Sequence, residues 1–185
     1  MEDDVTLTFA EEAGIELDNA AGPLFQLLTL CMLQAKPITS SVAVAAARGL
    51  FAAGLTSPRA MVDTPSSTFI QGFGRAGYAR YDVSTTARLK AMSERLLRDY
   101  DGDLRALRAG APSSLQLFDG VGPACARMFA REAQRVWPEL APVFDAKALQ
   151  GARILGLPED PRELAAMSDD LPRFAARLVR AALKR

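Results

Sequence analysis

Histidine is absent from the 185 residues, and cysteine occurs only twice, as Cys31 and Cys125. Without His there is no Ser-His-Asp or Cys-His relay. Two scattered Cys supply no ligand set for a zinc or iron–sulfur site, so no metal is expected. Any acid–base work then falls to Asp, Glu, Lys or Tyr. Each cysteine sits in an apolar, Ala-rich run, which reads as a small buried hydrophobe in a reducing compartment rather than half of a disulfide.

Charge of one sign is also lacking. Lys plus Arg number 22 and Asp plus Glu number 22, so no global basic field advertises nucleic acid. A local basic face still suffices for phosphate contacts. Long apolar runs are missing too: the stretches 23–35 and 41–55 are broken by Gln, Thr, Lys, Arg or Gly and are too short for a membrane span. The opening "MEDDVTLTFAEEAG" is acidic and carries no signal-peptide pattern, so a cytoplasmic protein with no membrane partner is expected. What remains, 49% hydrophobic and 24% charged, is an ordinary soluble composition, enough to bury one core.

Alternation of apolar and polar residues is absent, and almost every periodic segment reads as helix, which predicts an all-α fold of roughly eight to ten helices. "GPLFQLLTLCMLQAK" places Pro23 near a helix start and Leu24, Leu27, Leu28, Cys31 and Met32 on one face. Thr39 or Ser40 caps the next helix and Gly54 stops it. Ser57 with Pro58 opens a short helix, "GRAGYARYD" reads as a loop, and Ser84 caps a long helix striped by Leu89, Met92, Leu96 and Tyr100. Asp145 precedes another helix, which makes it an N-cap candidate. Trp137 reads as packing, and Glu11, Glu12 and Asp82 as surface acids.

One stretch carries more. In "LFDGVGPACARMF", two glycines flank Val121 and Pro123 starts a helix. Glycines let a phosphate approach the backbone amides at a helix N-terminus. Pro fits the first turn, where its missing N–H would have had no partner. The pattern suits a helix–hairpin–helix that grips a nucleic-acid backbone without reading bases, although on its own it more often marks an ordinary Gly-containing helix connection, which is very common. Arg127, Arg131 and Arg135 recur at helical spacing behind it, as a solvated face or a phosphate-binding stripe.

From Pro23 to about Leu157 the sequence resembles the endonuclease III-like DNA glycosylases of the helix–hairpin–helix superfamily. Four landmarks carry the likeness in order: "LFQLLTLCMLQAKPITSSVAVAAARGLFAAGLTSPRAM", "FGRAGYARYDVSTTARLKAMSERLLRDYDGDL", "LFDGVGPACARMF" and "VFDAKALQGARILGL". The resemblance implies two helical lobes with a cleft between them. Residues 23–133 would form a six-helix barrel lobe with the hairpin, and 1–22 plus 134–185 the second lobe. It implies double-stranded DNA with a damaged or mismatched base as partner, a flipped nucleotide, a monomer without cofactor, and a nucleoid-associated protein of the cytoplasm.

Carried onto this chain, Asp145 takes the place of the essential carboxylate. Gly120, Val121 and Gly122 supply hairpin amides to a phosphate. Lys36 stands near the flipped base's vacated place, facing a phosphate or the orphaned base, and Arg127 and Lys147 are further DNA contacts. Gln34, Tyr78, Arg80 and Tyr81 would line the cleft. Departures are informative. Ala124 occupies the position of the lyase lysine, the four-cysteine motif is missing, Lys147 replaces a His, and Asp119 replaces the hairpin Pro. Together they imply a monofunctional glycosylase that uses water, with no Schiff base by the family's usual route and lyase activity weak or absent, Lys36 and Lys147 being the other amines that could supply it. A damaged-DNA-binding protein without chemistry is the alternative.

Overall fold

The computed structural model describes residues 6–184, and every regular element in that range is helical. Ten α-helices run in the order α1 (Phe9–Glu12), α2 (Ala21–Gln34), α3 (Ser40–Ala52), α4 (Pro58–Asp63), α5 (Ser66–Ala76), α6 (Asp82–Tyr100), α7 (Pro123–Ala133), α8 (Ala146–Ile154), α9 (Pro161–Ala165) and α10 (Leu171–Leu183). Short 3₁₀ turns at Leu104–Gly110, Ser113–Leu117 and Pro138–Leu140 link the later helices. The all-α expectation holds. No helix among the described residues is long and apolar enough to cross a membrane.

Helix α2 is the axis of the arrangement. Its sequence predicts one apolar face, yet Phe25, Leu30 and Leu33 are buried along with Leu24, Leu27, Leu28, Cys31 and Met32. The reason is tertiary: α3, α6, α7 and the 104–110 turn all pack on it, leaving no side for water. Its one buried hydroxyl, on Thr29, is satisfied by donating to the Phe25 carbonyl at 3.0 Å.

Local signals set several boundaries. Ser57 accepts from the Ala60 amide and Pro58 occupies the first turn of α4, as its spacing predicts. Gly54 ends α3 with φ of 86°. Two expectations fail. The "GRAGYARYD" segment is not all loop: α5 continues through Gly74 and Arg75 to Ala76, and stops at Gly77 with φ of 81°. Packing against α3 and α6 outweighs the propensity cost of Gly72 and Gly74, roughly 1 kcal/mol each. Nor does Ser84 cap α6, which starts at Asp82. Its hydroxyl donates back to the Tyr81 carbonyl at 3.2 Å from inside the first turn.

The segment preceding α2 is tied to the end of the chain. Thr8 and Glu11 form a capping box on α1. From α10, Arg173 donates to the Thr6 carbonyl at 2.6 Å and pairs with Glu11 at 2.9 Å. Arg180 pairs with Glu12 at 2.8 Å. Trp137 is fully buried, and its indole N–H donates to the Asn19 carboxamide at 3.0 Å. Residues 1–5 of the expected second lobe, and Arg185, lie outside the described residues.

Helices α8 and α10 cross in close contact at Gly151, where a Cβ would collide with the Leu178 carbonyl. Gly151→Ala is therefore expected to destabilise the fold by at least about 2 kcal/mol in urea unfolding, because the obstacle is backbone that cannot rotate away. A change within about 0.5 kcal/mol would mean that the two helices do not meet there.

Candidate functional site

The Gly-Val-Gly segment is a tight turn joining the 113–117 turn to α7. The Val121 amide donates to the Phe118 carbonyl at 3.1 Å, and Gly120 has φ of 89°, a type II geometry that demands Gly at that place. The Arg88 side chain from α6 also lies against Gly120, with Cδ 2.7 Å from where a Cβ would be. Val121 is buried and anchors the turn. Gly122 differs: it caps α7 at φ −91° and ψ −175°, ordinary extended backbone, with open space around its missing side chain. No side chain caps α7, so the exposed first-turn amides beside Gly122 have no side-chain acceptor.

Arg131 lies about 13 Å further along the α7 axis. It is 3% exposed, so the solvated-face reading is corrected for this residue, although Arg127 and Arg135 on either side are exposed. Its Nη1 donates to Asp145 Oδ2 at 2.9 Å. Asp145 is itself 5% exposed and caps α8, with Oδ1 accepting from the Ala148 amide at 3.3 Å. The N-cap expectation for Asp145 therefore holds, and the same side chain is also buried and ion-paired. Glu132 completes the cluster. Its carboxylate lies 3.8 Å from Arg131 and accepts from the Phe9 amide at 3.1 Å.

The electrostatics of this cluster follow from burial. Burial works against the Arg131 charge, but Asp145 and Glu132 beside it outweigh that and hold its pKa above the usual value. Burial pushes the Glu132 carboxyl up, against the pull of Arg131 and of the Phe9 and Ala10 amides. Cys125 and Cys31 are free, buried thiols. Burial raises Cys125 to about 12 and Cys31 well above its ordinary value, so neither is a thiolate nucleophile. Among the described residues no group of His, Cys, Asp or Glu is placed to hold a metal.

Asp145 and Arg131 form part of the floor of a cavity of about 300 Å³. Its walls are mostly apolar, with Phe9, Ile38, Met128 and Val179 among them, and its polar lining includes Gln34, Lys36 and Lys147. Each Asp145 oxygen accepts one described bond and has further acceptor capacity, so the carboxylate can receive a water proton or face a developing cation. A cavity of this volume, mostly apolar with a few polar groups, has the general character of a small-molecule or base pocket.

The structure thus gathers Asp145, Gln34, Lys36 and Lys147 at one place. Lys147 is exposed and donates to Gln150 at 3.3 Å rather than pairing with Asp145. Tyr78, Arg80 and Tyr81 do not line the cavity. Tyr78 is fully buried, its hydroxyl bonded to Thr85 at 3.2 Å and its ring 5.0 Å from Phe73, so neither face is open for stacking. Tyr81 is flanked by Lys36 and Arg80, whose cationic groups lie 5.4 and 5.3 Å from its ring centre. Arg127 is exposed, with Nη2 3.5 Å from the Phe144 carbonyl. Sequence reasoning missed Phe9, Met128, Val179 and the role of Arg131. The available signal was that Arg131 and Met128 share a face of α7, three residues apart.

Removing Asp145 strands the Arg131 charge, so Asp145→Ala is expected to cost about 3–5 kcal/mol in urea unfolding, whereas Lys147→Ala stays within about 0.5 kcal/mol. Equal effects would mean that Glu132 alone satisfies Arg131. No family model matches the chain, and no curated protein matches it.

Proposed function

We propose that the protein is a monofunctional DNA glycosylase that flips a damaged or mismatched base out of the duplex and hydrolyses its N-glycosidic bond. The observation that carries the reading is a buried carboxylate, Asp145, on the floor of an apolar cavity sized for a planar ring. In this reading residues 23–133 form the barrel lobe and the rest the second lobe. Support comes from the cavity walls, since Gln34, Ile38 and Met128 belong to the first set and Phe9, Asp145 and Val179 to the second.

The chemistry assigned to the site is simple. The C1′–N bond breaks and its electron pair leaves on the base nitrogen. Asp145 stabilises the positive charge that develops on the sugar. Water then forms the new C1′–O bond and its proton passes to the carboxylate, from which it goes on through solvent to the base anion, so that the base leaves neutral and Asp145 returns to a carboxylate. At position 124 the side chain is a methyl group, so the family's Schiff-base route has no amine there. Lys36 and Lys147 supply positive charge at the cavity, and Arg127 supplies it on α7. The hairpin grips the backbone through the α7 amides, which Gly122 leaves uncovered.

A second reading, a damaged-DNA-binding protein without chemistry, is favoured by one observation. Asp145 already serves a buried guanidinium and a helix cap, which would preserve it even with no reaction to perform.

A screen over duplexes containing uracil, thymine mismatches, oxidised pyrimidines, 8-oxoguanine or alkylated purines separates the two. Free base is expected from at least one, with Asp145→Asn lowering release by about 10²-fold or more while lesion binding persists. Tight lesion binding with no release anywhere would establish the second reading instead. Gly122 offers a test of the hairpin that spares the fold, since its backbone angles and surroundings accept a side chain. Gly122→Val is expected to weaken DNA binding whatever the sequence and to flatten its salt dependence. Unaltered binding would remove the hairpin from the interface.

A further inference from the structure

Among the described residues Arg131 is the only buried Lys or Arg, and what it does there goes beyond neutralising a charge. As a cap alone, Asp145 would be held by a single long bond, 3.3 Å from the Ala148 amide to Oδ1. That leaves the carboxylate free to swing about one contact. Arg131 takes the other oxygen at 2.9 Å, from a different helix. Two donors on two oxygens fix the carboxylate plane in a way that neither does alone.

Arg131 is in turn held from two further sides. The Phe9 ring lies 5.0 Å from its guanidinium carbon, and Glu132 is 3.8 Å from its Nη2. Among the described residues its Nε has no hydrogen-bond acceptor, and the bond to Asp145 is what orients the head group. Arg131 also sits on the helix whose first turn is the hairpin. A rigid α7 therefore relates the position of the hairpin to the orientation of the carboxylate.

We propose that Arg131 is the positioning residue for Asp145, fixing the carboxylate in register with the hairpin. The proposal rests on the glycosylase reading only for the reaction that Asp145 performs. Its geometry stands apart from that reading.

The test compares the full chain with Arg131→Met and Arg131→Lys. It measures single-turnover base release, affinity for the lesion duplex, and the amide resonance of Ala148, which reports the Asp145 bond. Arg131→Met is expected to slow release on the order of 10²-fold, the scale of misplacing a reacting group by about 1 Å, with affinity unchanged. The Ala148 resonance should move. Arg131→Lys, which keeps the charge, is expected to recover part of the rate and of the resonance position. A folded Arg131→Met that releases base at the wild-type rate would overturn the proposal, as would equal losses in the Met and Lys variants. If the wild type releases no base from any duplex, the glycosylase reading fails, and Ala148 still decides. Movement in Met with return in Lys supports positioning, and an unmoved signal refutes it. If Arg131→Met does not fold, Arg131→Lys decides alone, because it keeps a buried positive charge beside both Asp145 and Glu132. Arg131→Lys is then expected to slow release and move the Ala148 resonance, and a wild-type rate with an unmoved resonance would overturn the proposal.

Discussion

A guanidinium cannot be withdrawn from water without a counter-charge, and Arg131 is withdrawn almost completely, at 3% exposure. The desolvation penalty of several kcal/mol per ion makes its partners obligatory rather than decorative. Asp145 must stand at the start of α8, which fixes where that helix begins. Glu132 must face inward, and its remaining acceptor capacity holds the Phe9 amide. The end of α7, the start of α8 and the segment around α1 are thereby bound to one charge. The same contacts that relieve the charge also shape the chamber in which Asp145 faces the cavity.

Much of the fold was legible because its signals are local. Ser57 followed by Pro58, the stop at Gly54, the stripe of Leu89, Met92 and Leu96, and the capping position of Asp145 each depend on neighbours a few residues away. The end of α5 was not legible, since Gly72 and Gly74 are helical only because other helices lie against them. Arg131 makes the same point at the site. Residues four apart on a helix drift by only about 40°, so Arg127, Arg131 and Arg135 share a face on paper. Two are exposed and one is not. The difference comes from a segment more than a hundred positions earlier in the chain, which lands on the middle of that face through the bond from Phe9 to Glu132. No local pattern encodes where a distant segment lands.

The two glycines of the hairpin look alike in sequence and differ in what they answer to. Gly120 answers to the fold, through a left-handed backbone and the Arg88 side chain laid against it. At Gly122 nothing among the described residues crowds the place of a side chain, and the backbone is ordinary extended chain. A bare glycine at a helix start with no side-chain cap leaves the first-turn amides open to approach. Tyr78 runs the other way. The family resemblance implies a place for it in the cleft, and the fold accounts for it in full through Phe73, Thr85 and the Leu33 carbonyl.

The cavity draws one wall from Phe9 and another from Val179 and Leu183, residues near opposite ends of the described chain. During synthesis the hairpin turn and α2 have their main neighbours before the ribosome has made α10, which then adds its own contacts to α7. Phe9, by contrast, waits for Arg180, whose guanidinium lies 4.3 Å from its ring. Contacts spanning so much sequence close late, because loop entropy has to be overcome first. The turn before α7 can thus form earlier than the complete cavity. A nascent or clipped chain would carry that turn without a finished chamber.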